Sequence, residues 1–194
     1  MVDEAKIREA AKLIIEAIGE DPNRAGLQET PERIGRMYTE LMAGYDADVE
    51  RILGKTFPSD NREMVMERDI QFYSLCEHHF VPFFGKVHIA YIPDGKVVGI
   101  SKLARCVEAY ARRVQIQENM TDQIADAIMQ YLAPKGVMVM VQAEHLCMSM
   151  RGIKKPGTNT VTFAKRGAFA TDSSLAQQFL QVLGNRSEQT EEAE

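Results

Sequence analysis

The spacing of apolar residues changes period four times along this chain, and that alternation restricts the fold more than any single motif does. Ile7, Ala11, Ile14, Ile15 and Ile18 recur at helical intervals, with Gly19 as a stop. After the turn-rich "GEDPNRAGLQET", Thr30 and Pro31 predict an N-cap and a first helical residue, and Ile34, Met37, Tyr38 and Leu41 form the next stripe. From about Glu63 the pattern alternates: "KVHIAYIP", the turn "PDGK" and "VVGI" predict a hairpin turning at Asp94-Gly95. Helical spacing returns at Leu103, Cys106, Val107, Tyr110 and Val114, and again from Thr121 through Ile124, Ile128 and Leu132, until Pro134 and Gly136 end it. "GVMVMVQAEHLCM" then reads as a strand with "NTVTFAKRGAF" as its antiparallel partner, and residues 172–183 as a last helix closed by Gly184.

This order predicts an α+β fold: an N-terminal helical pair, then two hairpins flanking two helices that pack on one face of an antiparallel sheet. The expected divisions are a helical region at 1–60, a main domain at 61–184 and a disordered acidic tail at 185–194, which ends in "SEQTEEAE". A length of 194 residues suits one compact unit with a real core.

Charge narrows the partners. The net charge of −5 divides into +5 over residues 101–166 and −10 elsewhere. A locally basic segment in an acidic protein argues against nucleic-acid binding and fits capture of a small polyanion; a solvated charged face would give the same count. No run reaches the roughly 18 apolar residues that span a bilayer, and acids run through the first twenty residues, so a cytoplasmic protein without a membrane partner is expected. Three cysteines do not make a disulfide framework, which leaves their thiols available for metal or chemistry.

The densest chemistry lies in "SLCEHHFVP". Cys76 and His79 have a spacing that lets a turn bring thiolate and imidazole to one ion, while His78 between them should point elsewhere. Further donors come from "EHLCM", where His145 and Cys147 would leave one strand face roughly 6 to 7 Å apart, and either could ligate. Soft thiolates favour the set Cys76, His79 and Cys147 for zinc, with one open position and with His78 and His145 as spare imidazoles suited to proton transfer. A closed four-ligand structural site and a crowded piece of core are the alternatives. Cys106, on the apolar stripe of its helix, reads as core, and His88 as a half-exposed strand residue.

"FYSLCEHHFVPFFGKVHIAYIP", "VVGISKLARCVEAYARRVQIQENMTDQIA" and "VQAEHLCMSMRGIKKPGTNTVT", in this order and spacing, resemble the type I GTP cyclohydrolases, and "GLQETPERIGRMY" is similar to their N-terminal region. The resemblance runs from about residue 5 to about residue 183. It implies Zn2+ held by Cys76, His79 and Cys147, and GTP as the substrate. It also implies hydrolysis at guanine C8, loss of formate and rearrangement to 7,8-dihydroneopterin triphosphate, the first step of folate and pterin biosynthesis. It further implies proton transfer by His78 and His145, guanine recognition by Glu118, with Gln117 beside the ribose or base, and triphosphate contacts from Ser101, Lys102, Arg105 and Arg151. The implied architecture is a tunnelling fold, in which sheets of neighbouring subunits join into a barrel with helices outside. The homo-oligomer implied by the resemblance is a decamer of two pentamers with active sites between subunits.

Three rivals predict other outcomes. A tunnelling-fold nitrile reductase would use a cysteine nucleophile and no metal. A zinc nucleobase deaminase would need H-x-E and P-C-x-x-C signatures, which are absent. A zinc-stabilised binding module would hold GTP without turning it over.

Overall fold

Seven strands and eight α-helices follow one another in a computed structural model that describes residues 2–184; the tail expected at 185–194 lies outside them. The first part is helical: α1 (Glu4–Ala17), α2 (Thr30–Leu41), a 3-10 turn (Ala43–Asp46) and α3 (Val49–Leu53). Then come β1 (Thr56–Pro58), β2 (Val65–Cys76), β3 (Pro82–Ile92), β4 (Lys96–Val98), α4 (Ile100–Ala111), β5 (Val114–Gln115) and α5 (Gln117–Leu132). The last part comprises β6 (Gly136–His145), α6 (Leu146–Ser149), β7 (Thr160–Gly167), α7 (Ala168–Thr171) and α8 (Ser173–Gly184).

The main sheet has the order β5-β2-β3-β6-β7, antiparallel except for the short parallel pairing of β5 with β2. Alternate residues of its strands point to one face, where Phe83, Val87, Ile89, Val137, Val139 and Val141 meet the apolar stripes of α4 and α5. Ile124 and Ile128 of α5 are fully buried there, each worth about 1.5–3 kcal/mol relative to exposure. The opposite face carries a smaller cluster in which Ala90 and Met138 bury Phe169 and Phe179 of α7 and α8. Close approach fixes one strand position: a Cβ on Gly85 would lie 1.9 Å from the Gln142 carbonyl oxygen, so only glycine fits between β3 and β6 there.

The N-terminal helices cross at Gly35, where a Cβ would come within 2.9 Å of Glu4 Cγ and 3.0 Å of Arg8 Cγ. Ala11 and Ile15 are buried, whereas Ile14, Ile18 and Met37 of the expected stripes remain exposed. α3 and β1 tie this part to the rest: Val49 and Leu53 enter the main core, and β1 pairs with β4.

Several local expectations are corrected. The Asp94-Gly95 turn forms, with Gly95 at φ +73, but β4 leaves β3 and pairs with β1, so the first hairpin is β2–β3. Glu29, without a side-chain cap bond, occupies the N-cap of α2, and Thr30 is already helical. Val114 belongs to β5, and α5 begins at Gln117, four residues before the predicted start. His88 is buried at 6% exposure: a bulge between Glu67 and Ile70 holds Asp69 at φ +60, and its amide donates to His88 Nδ1 at 3.2 Å.

Candidate metal centre

The turn after β2 is built by the backbone before any metal is considered. Cys76 N–H donates to the Val81 carbonyl at 2.9 Å, and the Phe80 amide returns to the Cys76 carbonyl at 2.9 Å. Glu77 N–H is held by the Gln115 carbonyl at 3.0 Å, and Phe80 takes φ +53 to close the reversal. This geometry brings His79 Nδ1 to 4.0 Å from Cys76 Sγ. His78 does not point away as the spacing suggested; its Nδ1 also approaches Cys76 Sγ, at 3.9 Å, with its ring crossing that of His79 at 68°.

The distant donor arrives by a different route from the one predicted. β6 ends at His145, and Leu146–Ser149 forms one helical turn, held by the Ser149 hydroxyl on Glu144 Oε1 at 2.7 Å. Cys147 therefore does not share a strand face with His145. The helical turn places it with Cys76 and His79, and donor atoms of the three lie within 4.8 Å of one another. Burial raises the Cys147 thiol pKa, the neighbouring Cys76 adds to that, and Arg151 opposes it. Two crowded thiols beside an imidazole form a site that a soft divalent cation would relieve.

His145 stands beside this triad in a defined setting. Its ring lies parallel to Phe83, its cross-strand partner, with centroids 4.6 Å apart and planes 3° apart. Burial lowers its pKa, and the Glu118 carboxylate opposes that shift. Its Nε2 meets Gln117 Oε1 at 2.7 Å. Gln117 itself is buried at 2% exposure, and its amide nitrogen faces the Val141 carbonyl, the Thr160 carbonyl and Thr162 Oγ1. Phe83, Thr160 and Thr162 were missed from the sequence; the alternating threonines of "TNTVTF" were the available signal.

The cationic residues divide. Arg151 follows α6 and acts on Cys147, so it lies at the metal end. Ser101, Lys102 and Arg105 ride on α4, which starts at the other end of the sheet: Val98 N–H donates to Tyr91 Oη at 3.4 Å, and Tyr91 pairs with Val65. The helix then runs to β5, where Gln115 pairs with Cys76. Ser101 therefore lies roughly 16 Å along the helix from Arg112, at the end remote from the triad. Arg105 lines a cleft of about 410 Å³ with Glu40, Ile52, Glu108 and Arg112.

A sequence profile of the family described as GTP cyclohydrolase I matches residues 7–184. Proteins named GTP cyclohydrolase 1 from Clostridium kluyveri are 59% identical over 182 residues, covering 94% of this chain and 98% of theirs. One from Clostridium perfringens is 59% identical over 175 residues, 90% of this chain and 95% of that protein. Another from Streptococcus pneumoniae is 54% identical over 183 residues, 94% and 100% of the two chains. The solved structure of the archaeosine synthase QueF-Like in the apo form overlays with a TM-score of 0.44 at 20% identity, over 54% of this chain and 94% of that one, too loosely to carry an inference. With a profile match across nearly all of the described residues and such identity over whole chains, this chain belongs to the GTP cyclohydrolase I family.

Proposed function

We propose that the chain binds one zinc ion through Cys76, His79 and Cys147 and hydrolyses GTP at guanine C8. Formate leaves and 7,8-dihydroneopterin triphosphate forms, the first step of folate and pterin biosynthesis. The observation that carries this reading is the convergence of three donors within 4.8 Å, from two distant segments of a chain in this family. The donor set fits zinc: tetrahedral bonds of about 2.0–2.3 Å bring such ligands to about 3.5–3.8 Å, a contraction of about 1 Å. Bound there, zinc would supply a Lewis acid that makes water a competent nucleophile near neutral pH.

The chain's own residues do the rest. His78, beside Cys76 but outside the triad, protonates guanine N7, which makes C8 electrophilic. His145 moves protons during ring opening. Glu118, exposed on the first turn of α5, accepts from guanine N1–H and the 2-amino group together, a pair that adenine does not offer. Arg151 meets the triphosphate from the metal end, and Ser101, Lys102 and Arg105 hold it from α4.

Because α4 carries those three residues away from the triad, a complete site needs the α4 of another copy. Sheet edges support that assembly: among the described residues, β7 pairs only with β6, and on its outer side β2 pairs only through Leu75 and Cys76. We read the assembly as a tunnelling-fold decamer of two pentamers, with residues 61–184 carrying the site and residues 1–60 a helical region joined to it by α3 and β1. The test is to incubate the protein with GTP, with and without a chelator, and to assay formate together with a dihydropterin product. Both should appear and both should vanish with the chelator; zinc-loaded protein that releases no formate overturns the reading.

A further inference from the structure

We infer that Gln117 is a positioning residue that fixes His145 in one tautomer, with Nε2 protonated and Nδ1 bare, rather than a group that contacts substrate. The orientation of the Gln117 amide is set by the acceptors around its nitrogen. Its nitrogen lies 3.2 Å from the Val141 carbonyl oxygen and 3.0 Å from the Thr160 carbonyl oxygen. Both are acceptors, so the opposite orientation would set an amide oxygen against two carbonyl oxygens in a buried site. The threonines give the same answer independently. Thr121 Oγ1 donates to the Gln117 carbonyl at 2.7 Å, so it accepts from Thr162 Oγ1, also at 2.7 Å. The Thr162 oxygen is then left to accept from the Gln117 amide at 3.1 Å.

With the nitrogen committed to β6 and β7, Gln117 Oε1 is the atom that faces His145 Nε2 at 2.7 Å. An amide oxygen only accepts, so Nε2 carries the hydrogen whether the imidazole is neutral or charged. Neutral His145 then has its lone pair on Nδ1, and that nitrogen alone can take up or hand over a proton. Phe83 fixes the plane of the ring by stacking, and Gln117 fixes its rotation within that plane. The device couples the first turn of α5 to the end of β6, so the imidazole is set before substrate arrives. It also explains why a residue implied beside the ribose or base is only 2% exposed.

The test reads the tautomer directly and uses the proposed activity only in its kinetic arm. Solid-state 15N spectra of sedimented, zinc-loaded, histidine-labelled protein, with His145 assigned through His145→Gln, should show a protonated Nε2 and a bare Nδ1. Wild-type protein with hydrogen on Nδ1 overturns the inference even if no variant folds. In Gln117→Met the His145 signals should become a mixture of tautomers, and kcat should fall about 10–100-fold with KM for GTP unchanged. An unaltered single tautomer in the variant, or a raised KM at unchanged kcat, overturns it. Absence of turnover in the wild type would defeat the functional reading and leave the tautomer result intact.

Discussion

The two ends of the five-stranded sheet differ in kind. At the end holding Cys76, Phe83 and His145, a backbone-bonded turn, a one-turn helix and the start of α5 gather thiols, imidazoles and carboxylates. At the end holding Val65, Tyr91 and Gly136, strand residues such as Tyr91 and Val137 are core, and α4 begins there with Ser101 exposed and Lys102 half-buried. On the proposed function, the reacting groups lie at one end and three of the four proposed anion contacts ride on a helix that starts at the other. If the proposed assignments hold, each copy would carry two half-sites, one for the reacting groups and one for charge.

The strongest way to break that comparison is at the metal end. His78→Ala should lower kcat about 10²–10⁴-fold while zinc content is unchanged, checked by formate release and elemental analysis. Loss of zinc would show that the 3.9 Å approach of His78 to Cys76 marks a ligand instead. At the other end, Lys102→Ala would remove the charge-assisted triphosphate contact proposed for it, worth about 1.5–3 kcal/mol, so KM for GTP should rise about 10–150-fold with kcat and zinc little altered. A fall in kcat alone would place Lys102 with the reacting groups.

The smallest effect concerns a buried histidine on the sheet face opposite α4 and α5. Burial holds the His88 pKa below its ordinary value, with Asp69 opposing and Lys86 and Arg68 reinforcing the shift. Above about pH 6.5 His88 is neutral in both folded and unfolded chains, and stability is at its full value. As pH falls below that, the unfolded chain takes up the proton first, and stability declines until the folded pKa is passed. Urea midpoints at pH 7.5 and pH 5 should therefore fall further apart in wild type than in His88→Gln, with zinc content unchanged. Equal falls would remove His88 from the account.

The α+β character and the grouping of Cys76, His79 and Cys147 were legible in the sequence because both rest on strong local signals. Periodicity marked α4, α5, β6 and β7. A chain with three cysteines and four histidines left few ways to choose metal donors. What failed was long-range or at element ends. The Asp94-Gly95 turn was visible, but nothing local says that β4 pairs with β1. "EHLCM" alternates like a strand although its backbone turns helical at Leu146, with no glycine or proline to announce it. His88 sits on the side that alternation assigns to solvent, and only the bulge at Asp69 shows why it is covered. Counting charge over residues 101–166 found the cations but could not show that α4 carries three of the candidate anion contacts away from the Cys76, His79 and Cys147 group.

The central claim, that metal and α4 half-sites from different copies complete one another, is tested by subunit mixing. His78→Ala and Lys102→Ala chains, each defective alone, are co-expressed in equal amounts, purified as mixed oligomers and assayed for formate at a GTP concentration below KM. Random mixing across a shared interface leaves roughly a quarter of the sites with both halves intact, so activity should recover towards that fraction of wild type. Mixed oligomers no more active than the mean of the two parents would place both halves of the site within one chain and contradict the account.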